Sequence, residues 1–284
     1  MARGEAITSE VVAATRRPGR IGAMTDFGPL LKEWRQRRRI SQLDLALEAE
    51  VSQRHLSFVE SGRSRPSREM VLRLAERLAV PLRARNALLV AAGHAPEFGE
   101  RGLEDPALAP AMEAVRLILD GHAPWPALAV DRHWNLVAAN ATAGRLMAGV
   151  APALVAPPVN VLRLSLHPQG LAPRIANLRA WKTHVLDRLR RDAEASGDAG
   201  LEALIAEIAR YPAGTDAPPG REDRARALIA TPLRLRVPGD ELSLISTTTV
   251  FGTATEVMLA ELTLETFFPA DAESAAMLRA MAAA

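Results

Sequence analysis

The stretch SQRHLSFVESGRSRPS, residues 52–67, carries side chains of the types that read base edges in DNA. Gln53 can hydrogen-bond to two groups of an adenine, Arg54 can do the same with a guanine, and Ser57 can serve either base. His55 shares the outward side of this short amphipathic segment. At the start of a helix, these residues predict sequence-specific contacts in the major groove.

A basic loop and one further polar position extend this pattern. Arg63 and Arg65 lie on a Gly-Arg-Ser-Arg-Pro loop, where guanidinium groups can hold the phosphate backbone or enter the neighbouring groove. Ser52 is placed to cap the reading helix. Gln42, near the start of the preceding helix, is placed to meet a phosphate.

The rest of the sequence contains few residue patterns that indicate a catalytic or metal site. His122, His133, His167 and His184 lie 11 to 34 residues apart without an i,i+4 pair, so no metal site is expected. His167, followed by Pro168, is expected to be a loop or capping residue. No nucleophile-elbow, Walker or dinucleotide-binding motif is present, and the lack of cysteine excludes disulfides and thiolate sites. We therefore do not expect an enzyme or a resident cofactor.

The elements that position the polar residues are predicted from apolar spacing and capping residues. Within residues 27–93 the spacing predicts five short helices, an all-α module. Ser41, Ser52 and Ser67 are placed as N-caps, and Pro81 starts the fifth helix. The helices that follow Ser41 and Ser52 are separated by a short turn, which is typical of a helix-turn-helix.

Charge and composition separate this module from the rest of the chain. Residues 27–93 hold 13 Arg and Lys against 7 Asp and Glu, whereas the whole chain has a net charge of +2. A basic module followed by a mildly acidic remainder favours a polyanion-binding domain joined to a domain with another task. No apolar run predicts a membrane span, and residues 1–24 lack the apolar core of a secretory signal, so the cytoplasm is expected. Residues 1–24 are expected to be a disordered tail, with Met24 as an alternative natural start.

The second half of the chain predicts an α+β domain. Residues 95–110, rich in Pro, Gly and charge, predict a linker between a domain at 25–94 and another at 111–284. ALAVDRHWNLVAAN predicts two strands around an Asp-Arg turn, apolar stripes predict two later helices, and GTDAPPG (214–220) predicts a flexible loop. Period-two alternation then predicts three strands, the last including the run MLAELTLE. We expect an antiparallel sheet packed by helices on one side.

The stretch QLDLALEAEVSQRHLSFVESGRSRPS resembles the helix-turn-helix of the Xre/Cro family of transcription regulators. The resemblance implies that Gln42 contacts phosphate and that Gln53, Arg54 and Ser57 face the bases. Because one recognition helix reads only a few base pairs, we expect a homodimer on a palindromic double-stranded operator.

The same resemblance implies an ion pair between Arg35 and Glu60 that ties the first helix to the recognition helix. One position departs from the family pattern, since Glu50 stands where the turn usually has glycine. A left-handed conformation there costs a non-glycine residue about 1 kcal/mol or more.

Three stretches of the second half resemble the MmyB-like ligand-binding domain, which has a PAS-like fold. They are LDGHAPWPALAVDRHWNLVAAN, NVLRLSLHPQGL and STTTVFGTATEVMLAELTLETFFPAD, in matching order and spacing. The resemblance implies a multidomain regulator whose second domain encloses an apolar small molecule, with a fatty acid as the leading candidate. An apolar cavity needs hydrophobic walls and a few polar groups that fix a head group.

The candidate walls are Trp125, Trp134, Leu146, Leu162, Trp181, Leu244, Phe251 and Leu262. The candidate anchors are Asn140, Arg163, His167 and Thr248, although Asn140 is also placed to cap a following helix. The predicted function is thus a dimeric DNA-binding regulator that senses a hydrophobic metabolite. Two alternatives stay open: a constitutive repressor whose second domain only dimerises, and a redox sensor that carries haem or flavin.

Overall fold

The structure, a computed structural model, describes residues 26–214 and 231–283. The predicted N-terminal tail, residues 1–24, lies outside the described residues, and so do residues 215–220 of the predicted loop GTDAPPG. Within the two described ranges, no helix combines the length and apolar character that crossing a bilayer requires.

Five short helices form the N-terminal part of the described chain, as the sequence predicts. The Oγ atoms of Ser41, Ser52 and Ser67 each accept a hydrogen bond from the backbone amide three residues on, which begins three of the helices. Pro81 immediately precedes the fifth helix. The five are α1 (Phe27–Arg37), α2 (Gln42–Glu48), α3 (Gln53–Glu60), α4 (Arg68–Arg77) and α5 (Leu82–Ala91).

Each of these helices contributes a fully buried leucine to one continuous apolar cluster. The five leucines are Leu31, Leu45, Leu56, Leu74 and Leu88. Burial of a leucine side chain stabilises a fold by roughly 1.5–3 kcal/mol, so this cluster fixes how α2 and α3 lie on the bundle. The polar side of α3 is thereby turned outward.

The second part of the chain is an antiparallel sheet with helices. Its five described strands lie in the order β2-β1-β5-β4-β3, and every neighbouring pair is antiparallel. The elements are α6 (Ala109–Gly121), β1 (Ala127–Val130), β2 (Leu136–Ala139), α7 (Ala141–Leu146), α8 (Val161–Leu166), α9 (Leu178–Ser196), α10 (Ala199–Ala209), β3 (Leu233–Val237), β4 (Asp240–Val250), α11 (Val257–Ala260), β5 (Thr263–Pro269) and α12 (Ala272–Ala283).

Helices cover both faces of the sheet, so the prediction of helices on one side is wrong. Leu128 belongs to the large cluster that includes side chains of α8, α9 and α10. Its neighbours Ala127 and Ala129 belong to a separate cluster with Val115 and Leu119 of α6. All four residues of β1 are apolar and buried, which is typical of a strand covered on both faces.

The last predicted strand is also shorter than its alternating pattern suggests. The run MLAELTLE begins within helix α11, and β5 starts only at Thr263. The strands beside β5 explain this, because Thr263 pairs with Val130 at the end of β1 and with Val250 at the end of β4. Earlier residues have no strand partner among the described elements, and the amide of Val257 donates instead to the carbonyl of Gly99.

The segment predicted as a linker, residues 95–110, is held by hydrogen bonds. The buried side chain of Asn86 accepts from the amides of Glu97 and Phe98, both at 3.0 Å, and donates to the carbonyl of Phe98 at 2.8 Å. The last two residues of the segment already belong to α6. The connection between the two parts is therefore a fixed path along α5.

Candidate DNA-binding surface and ligand cavity

The surface predicted to contact DNA lies at the N-terminal end of α3. Ser52, Gln53 and Arg54 are exposed there, while His55 and Ser57 are half-buried. Because the Ser52 hydroxyl caps the helix, its first turn is ordered and the side chains that follow project from a fixed backbone. This arrangement suits a helix that reads bases with its N-terminal residues.

Arg35 and Glu60 form a bidentate ion pair between α1 and α3. Arg35 Nε lies 2.7 Å from Glu60 Oε1, and Nη2 lies 3.0 Å from Oε2. Only 11% of the Arg35 side chain and 4% of the Glu60 side chain are exposed. The hydrogen bond to Glu60 raises the pKa of Arg35, so the guanidinium stays charged. The pair fixes the C-terminal end of α3 on the bundle.

Gln42 extends this network toward the DNA-binding surface. Its Nε2 donates to Glu60 Oε2 at 2.7 Å. An amide nitrogen carries two hydrogens, so one remains for a phosphate while the other holds the side chain in place.

Close approach of α1 to the end of α3 depends on Gly28. A Cβ atom at this position would lie 2.3 Å from the carbonyl oxygen of Glu60, closer than any real contact. The absence of a side chain therefore allows α1 to support the recognition helix directly.

Glu50 adopts the left-handed conformation that its position in the turn requires, with φ of 55°. The turn is closed by hydrogen bonds from the amide of Glu50 to the carbonyl of Leu47 and from the amide of Val51 to the carbonyl of Ala46. The helix-turn-helix geometry is thus kept at a backbone cost of about 1 kcal/mol or more.

Arginines of α3 and of the following loop share one aromatic ring. The guanidinium of Arg54 lies 5.4 Å from the ring centre of Phe58, and that of Arg63 lies 6.0 Å from it. Arg63 and Arg65 are exposed on the loop. Cations held on an aromatic face lose part of their freedom before binding, which favours contacts to phosphate or base.

The second domain contains a partly open cavity of about 100 Å³ between the sheet and helices α7, α8 and α9. Its walls are apolar side chains from both the sheet and the helices. They include Leu128, Trp134, Leu146, Met147, Val161, Leu162, Leu164, Leu171, Trp181, Val185, Leu233, Leu235, Leu244 and Phe267.

One end of the cavity is charged. Arg188 of α9 donates from Nη2 to Glu265 Oε1 of β5 at 2.7 Å, and the hydroxyl of Thr248 donates to the same oxygen at 2.9 Å. The Arg188 guanidinium also lies 4.5 Å from the ring centre of Trp134. Only 5% of the Glu265 side chain is exposed, so the carboxylate is both buried and paired.

A half-buried histidine adds to this polar lining without adding charge. His184 stacks on Trp181 with ring centres 5.4 Å apart. Burial lowers the pKa of His184, and the neighbouring cations Arg188 and Arg191 lower it further. The imidazole is therefore neutral at pH 7.

Five of the eight predicted walls line this cavity, namely Trp134, Leu146, Leu162, Trp181 and Leu244. Three do not. Phe251, just after β4, and Leu262, just before β5, pack in the cluster on the opposite face of the sheet. Trp125 lies beside the Arg279 guanidinium, 5.3 Å away, outside the cavity lining.

None of the four predicted anchors lines the cavity. Asn140 caps α7 as predicted, and its buried amide also bonds the amide of Ala127 and the carbonyls of Leu119 and Trp125. Its hydrogen-bonding capacity is therefore used within the protein.

The other three anchors are held outside the cavity. Arg163 pairs with Glu207 through bonds of 2.7 to 3.0 Å, and His167 packs edge-on against Tyr211. Thr248 is exposed and reaches the cavity only through its bond to Glu265.

The residues that do form the charged end, Arg188 and Glu265, were missed in the sequence. A signal was present for Arg188, which lies three residues after Val185 and seven after Trp181, on the same side of α9. Within the described ranges, no group of three acidic or histidine side chains is arranged to hold a metal ion.

Comparison with known proteins gives two family matches. A helix-turn-helix family matches residues 31–84. The MmyB-like transcription regulator ligand binding domain matches residues 111–281, which is more than half of the chain. No curated protein matches the chain.

Among solved structures, an RNA-binding light-oxygen-voltage receptor is 14% identical, with 95% of this chain and 70% of that chain covered and a TM-score of 0.24. At that TM-score the likeness carries no argument. The two family matches fall on the helical bundle and on the domain with the cavity. The chain therefore belongs to the MmyB-like transcription regulators, as a DNA-binding regulator with a ligand-binding domain.

Proposed function

We propose that this protein is a sequence-specific regulator whose domain at residues 25–94 binds DNA and whose domain at residues 111–284 senses a hydrophobic small molecule, with a fatty acid as the leading candidate. One observation carries the proposal: the same chain presents an ordered, exposed polar helix end and a partly open apolar cavity with a charged end. DNA as the target makes the cytoplasm the proposed place of action.

On DNA, the N-terminal side chains of α3 would read the major groove. Gln53, Arg54 and Ser57 would contact bases, while Gln42, Arg63 and Arg65 would hold the backbone. His55 and Ser52 complete the surface. Because a single helix reads few base pairs, the working form would be a homodimer on a palindrome.

In the cavity, burial of apolar groups would provide most of the affinity. Each buried CH₂ contributes about 0.8 kcal/mol. A cavity of about 100 Å³ is smaller than the ~150 Å³ that holds a benzene molecule in an engineered protein core. A chain of three or four carbons would fit with little change, whereas a chain of six carbons or more would have to displace flexible wall side chains such as Met147.

The two alternative functions, a haem or flavin sensor and a repressor whose second domain only dimerises, require different cavities in this domain. A haem or flavin needs a site far larger than the cavity, since drug-sized ligands already occupy about 300–1,000 Å³. A domain that only dimerises needs no ligand, and the small cavity volume favours it as the second candidate function.

Removal and return of ligand tests the proposal. The purified protein is delipidated, fatty acids of graded length are added back, and operator affinity is measured at fixed salt on a site selected from random DNA. We expect one chain length to change operator affinity. If no acyl chain is retained or bound at any length, while a DNA site is still selected, the dimerisation-only function is the correct one.

A further inference from the structure

We infer that the intact Arg188–Glu265 pair is the head-group site of the cavity, and that it selects an amphiphile whose head is uncharged and both donates and accepts hydrogen bonds. A carboxamide, an alcohol and a protonated carboxylic acid have such heads, so a fatty acid would bind this site in its protonated form. This inference rests on the proposed function, because it names the class of ligand that the same cavity takes.

The pair has hydrogen-bonding capacity left over on both sides. Arg188 and Thr248 both donate to Oε1 of Glu265, and no residue in the described ranges donates to its Oε2. Likewise, only one N–H of Arg188 has an acceptor among the described residues. Polar atoms that are accessible and have no protein partner bind water or ligand, and both residues line the cavity.

The pair also leaves the cavity lining without net charge. The charges of Arg188 and Glu265 cancel, and the other polar residues of the lining, as far as the structure describes it, are two serines and the neutral His184. A carboxylate would have to share Arg188 with Glu265, which places two like charges side by side in apolar surroundings. An ammonium group that bound Glu265 would likewise place its positive charge beside that of Arg188. A neutral head group can donate to Oε2 of Glu265 and accept from a free N–H of Arg188. The ion pair between the two residues then stays intact.

Arg188 is not free to leave this position. Its guanidinium lies over the Trp134 ring, and Trp134 is fixed in turn by a left-handed backbone, with φ of 65°, and by a hydrogen bond from its amide to the carbonyl of Asp131. Backbone strain of this kind persists only where the surroundings impose it. The geometry of the two charges is therefore set before a ligand arrives.

Three six-carbon probes that differ only in the head group test the inference on the full-length protein at pH 7. They are hexanamide, hexanoate and hexylammonium, titrated by calorimetry. Hexanamide should bind about tenfold more tightly than either ion, as expected when an ion must disturb a buried pair. In Glu265→Gln the end of the cavity becomes cationic, so hexanoate should become the tightest probe. In Arg188→Gln the preference should move to hexylammonium.

Glu207→Gln is the matched control, because it makes the same charge change in the Arg163–Glu207 pair, outside the cavity. It should leave the order of the three probes unchanged. Thermal unfolding of each variant establishes that it is folded. If hexanoate binds the wild-type protein at least as tightly as hexanamide and neither cavity variant changes the order, the head-group inference is wrong while the ligand-binding function stands. If no probe and no longer acyl chain binds, both are wrong.

Discussion

Individual residues of the DNA-binding surface are expected to differ in what they contribute. Arg54 projects from α3, where a guanidinium can pair with a guanine, whereas Arg63 lies on the loop beside the backbone path. Both contact the ring of Phe58, so they share surroundings and charge. The two arginines therefore form a natural pair of test and control.

Arg54→Ala should weaken binding to the cognate operator by about 1–3 kcal/mol and relax base preference at one position. Arg63→Ala should weaken binding to all sequences by similar factors and reduce the salt dependence of log K by about one unit. Affinities for the operator and its single-base variants, measured at several salt concentrations, separate the two effects. Unchanged affinity and preference in Arg54→Ala would show that α3 is placed differently on DNA.

The Arg35–Glu60 pair is expected to matter for stability more than surface pairs do. Glu60→Gln or Arg35→Met alone leaves a buried charge without its partner, so each should lower the free energy of unfolding by about 3–5 kcal/mol. The double variant should lose less than the worse single variant. Denaturant unfolding of all three measures this.

Glu33→Gln serves as the control for that cycle. Glu33 pairs with Arg37 one turn apart on the same helix, and 63% of its side chain is exposed. Its loss should cost no more than about 0.5 kcal/mol. Equal effects of Glu33→Gln and Glu60→Gln would contradict a special role for the buried pair.

Single residues were predictable from the sequence where the local pattern decides their role. Ser41, Ser52 and Asn140 cap helices, and a cap depends only on neighbouring amides. Cavity residues were less predictable because lining depends on which strand face and which helix meet. Glu265 is a polar residue in an alternating run, which a sheet covered on one face would expose, yet this sheet is covered on both faces and buries it.

At the scale of secondary-structure elements, the turn between α2 and α3 carries a cost that can be removed. Glu50 is exposed and left-handed, and glycine adopts that conformation without strain. Glu50→Gly should therefore raise the free energy of unfolding by about 0.5–1 kcal/mol, after the greater freedom of glycine in the unfolded chain is deducted.

Glu48→Gly is the matched control for the turn. It introduces the same residue at the helical end of α2, where glycine lowers stability by about 0.5–1 kcal/mol. Opposite signs of the two changes, measured by urea unfolding, would support the turn geometry. If both variants are less stable than the wild-type protein, the strain of the left-handed conformation at Glu50 is smaller than the cost of introducing glycine there.

The elements themselves were largely predictable, and their limits were set by partners that a sequence does not show. The five N-terminal helices follow from apolar spacing and serine caps. The run MLAELTLE has strand periodicity, but its first residues form α11 because β1 and β4 both end opposite Thr263. Strand propensity is expressed only where a neighbour offers hydrogen bonds.

At the scale of the whole molecule, two segments connect the charged end of the cavity with the DNA-binding bundle. Glu265 lies four residues beyond Glu261, whose carboxylate binds the guanidinium of Arg83 on α5 through two bonds of 2.8 Å. Arg132, two residues before Trp134, lies 3.7 Å from the same carboxylate. A shift of β5 or of the β1–β2 turn therefore changes the contact with α5.

We expect the contact between Glu261 and Arg83, rather than the segment at 95–110 alone, to couple ligand binding to DNA binding. The hydrogen bonds that Arg83 donates to Glu261 raise the pKa of Arg83, so the pair stays charged, and Arg83 also donates to Glu100 at 3.0 Å. A ligand that prefers one arrangement of this contact by about 1.4 kcal/mol would change operator affinity tenfold. Coupling exists only if ligand binding and DNA binding both depend on the arrangement of this contact.

Arg83→Glu should therefore leave ligand affinity of the isolated protein nearly unchanged but remove most of the effect of ligand on operator affinity. Glu261→Arg should do the same, and the double variant, which restores an opposite-charge pair, should recover part of the coupling. Arg77→Met, which removes a charge from the exposed end of α4, controls for the reduced charge of the DNA-binding bundle. Operator affinity is measured with and without saturating ligand for all four variants. Full coupling in both single variants would show that ligand acts on DNA binding through another route, such as the bond from Arg38 to the carbonyl of Ala195 at the end of α9.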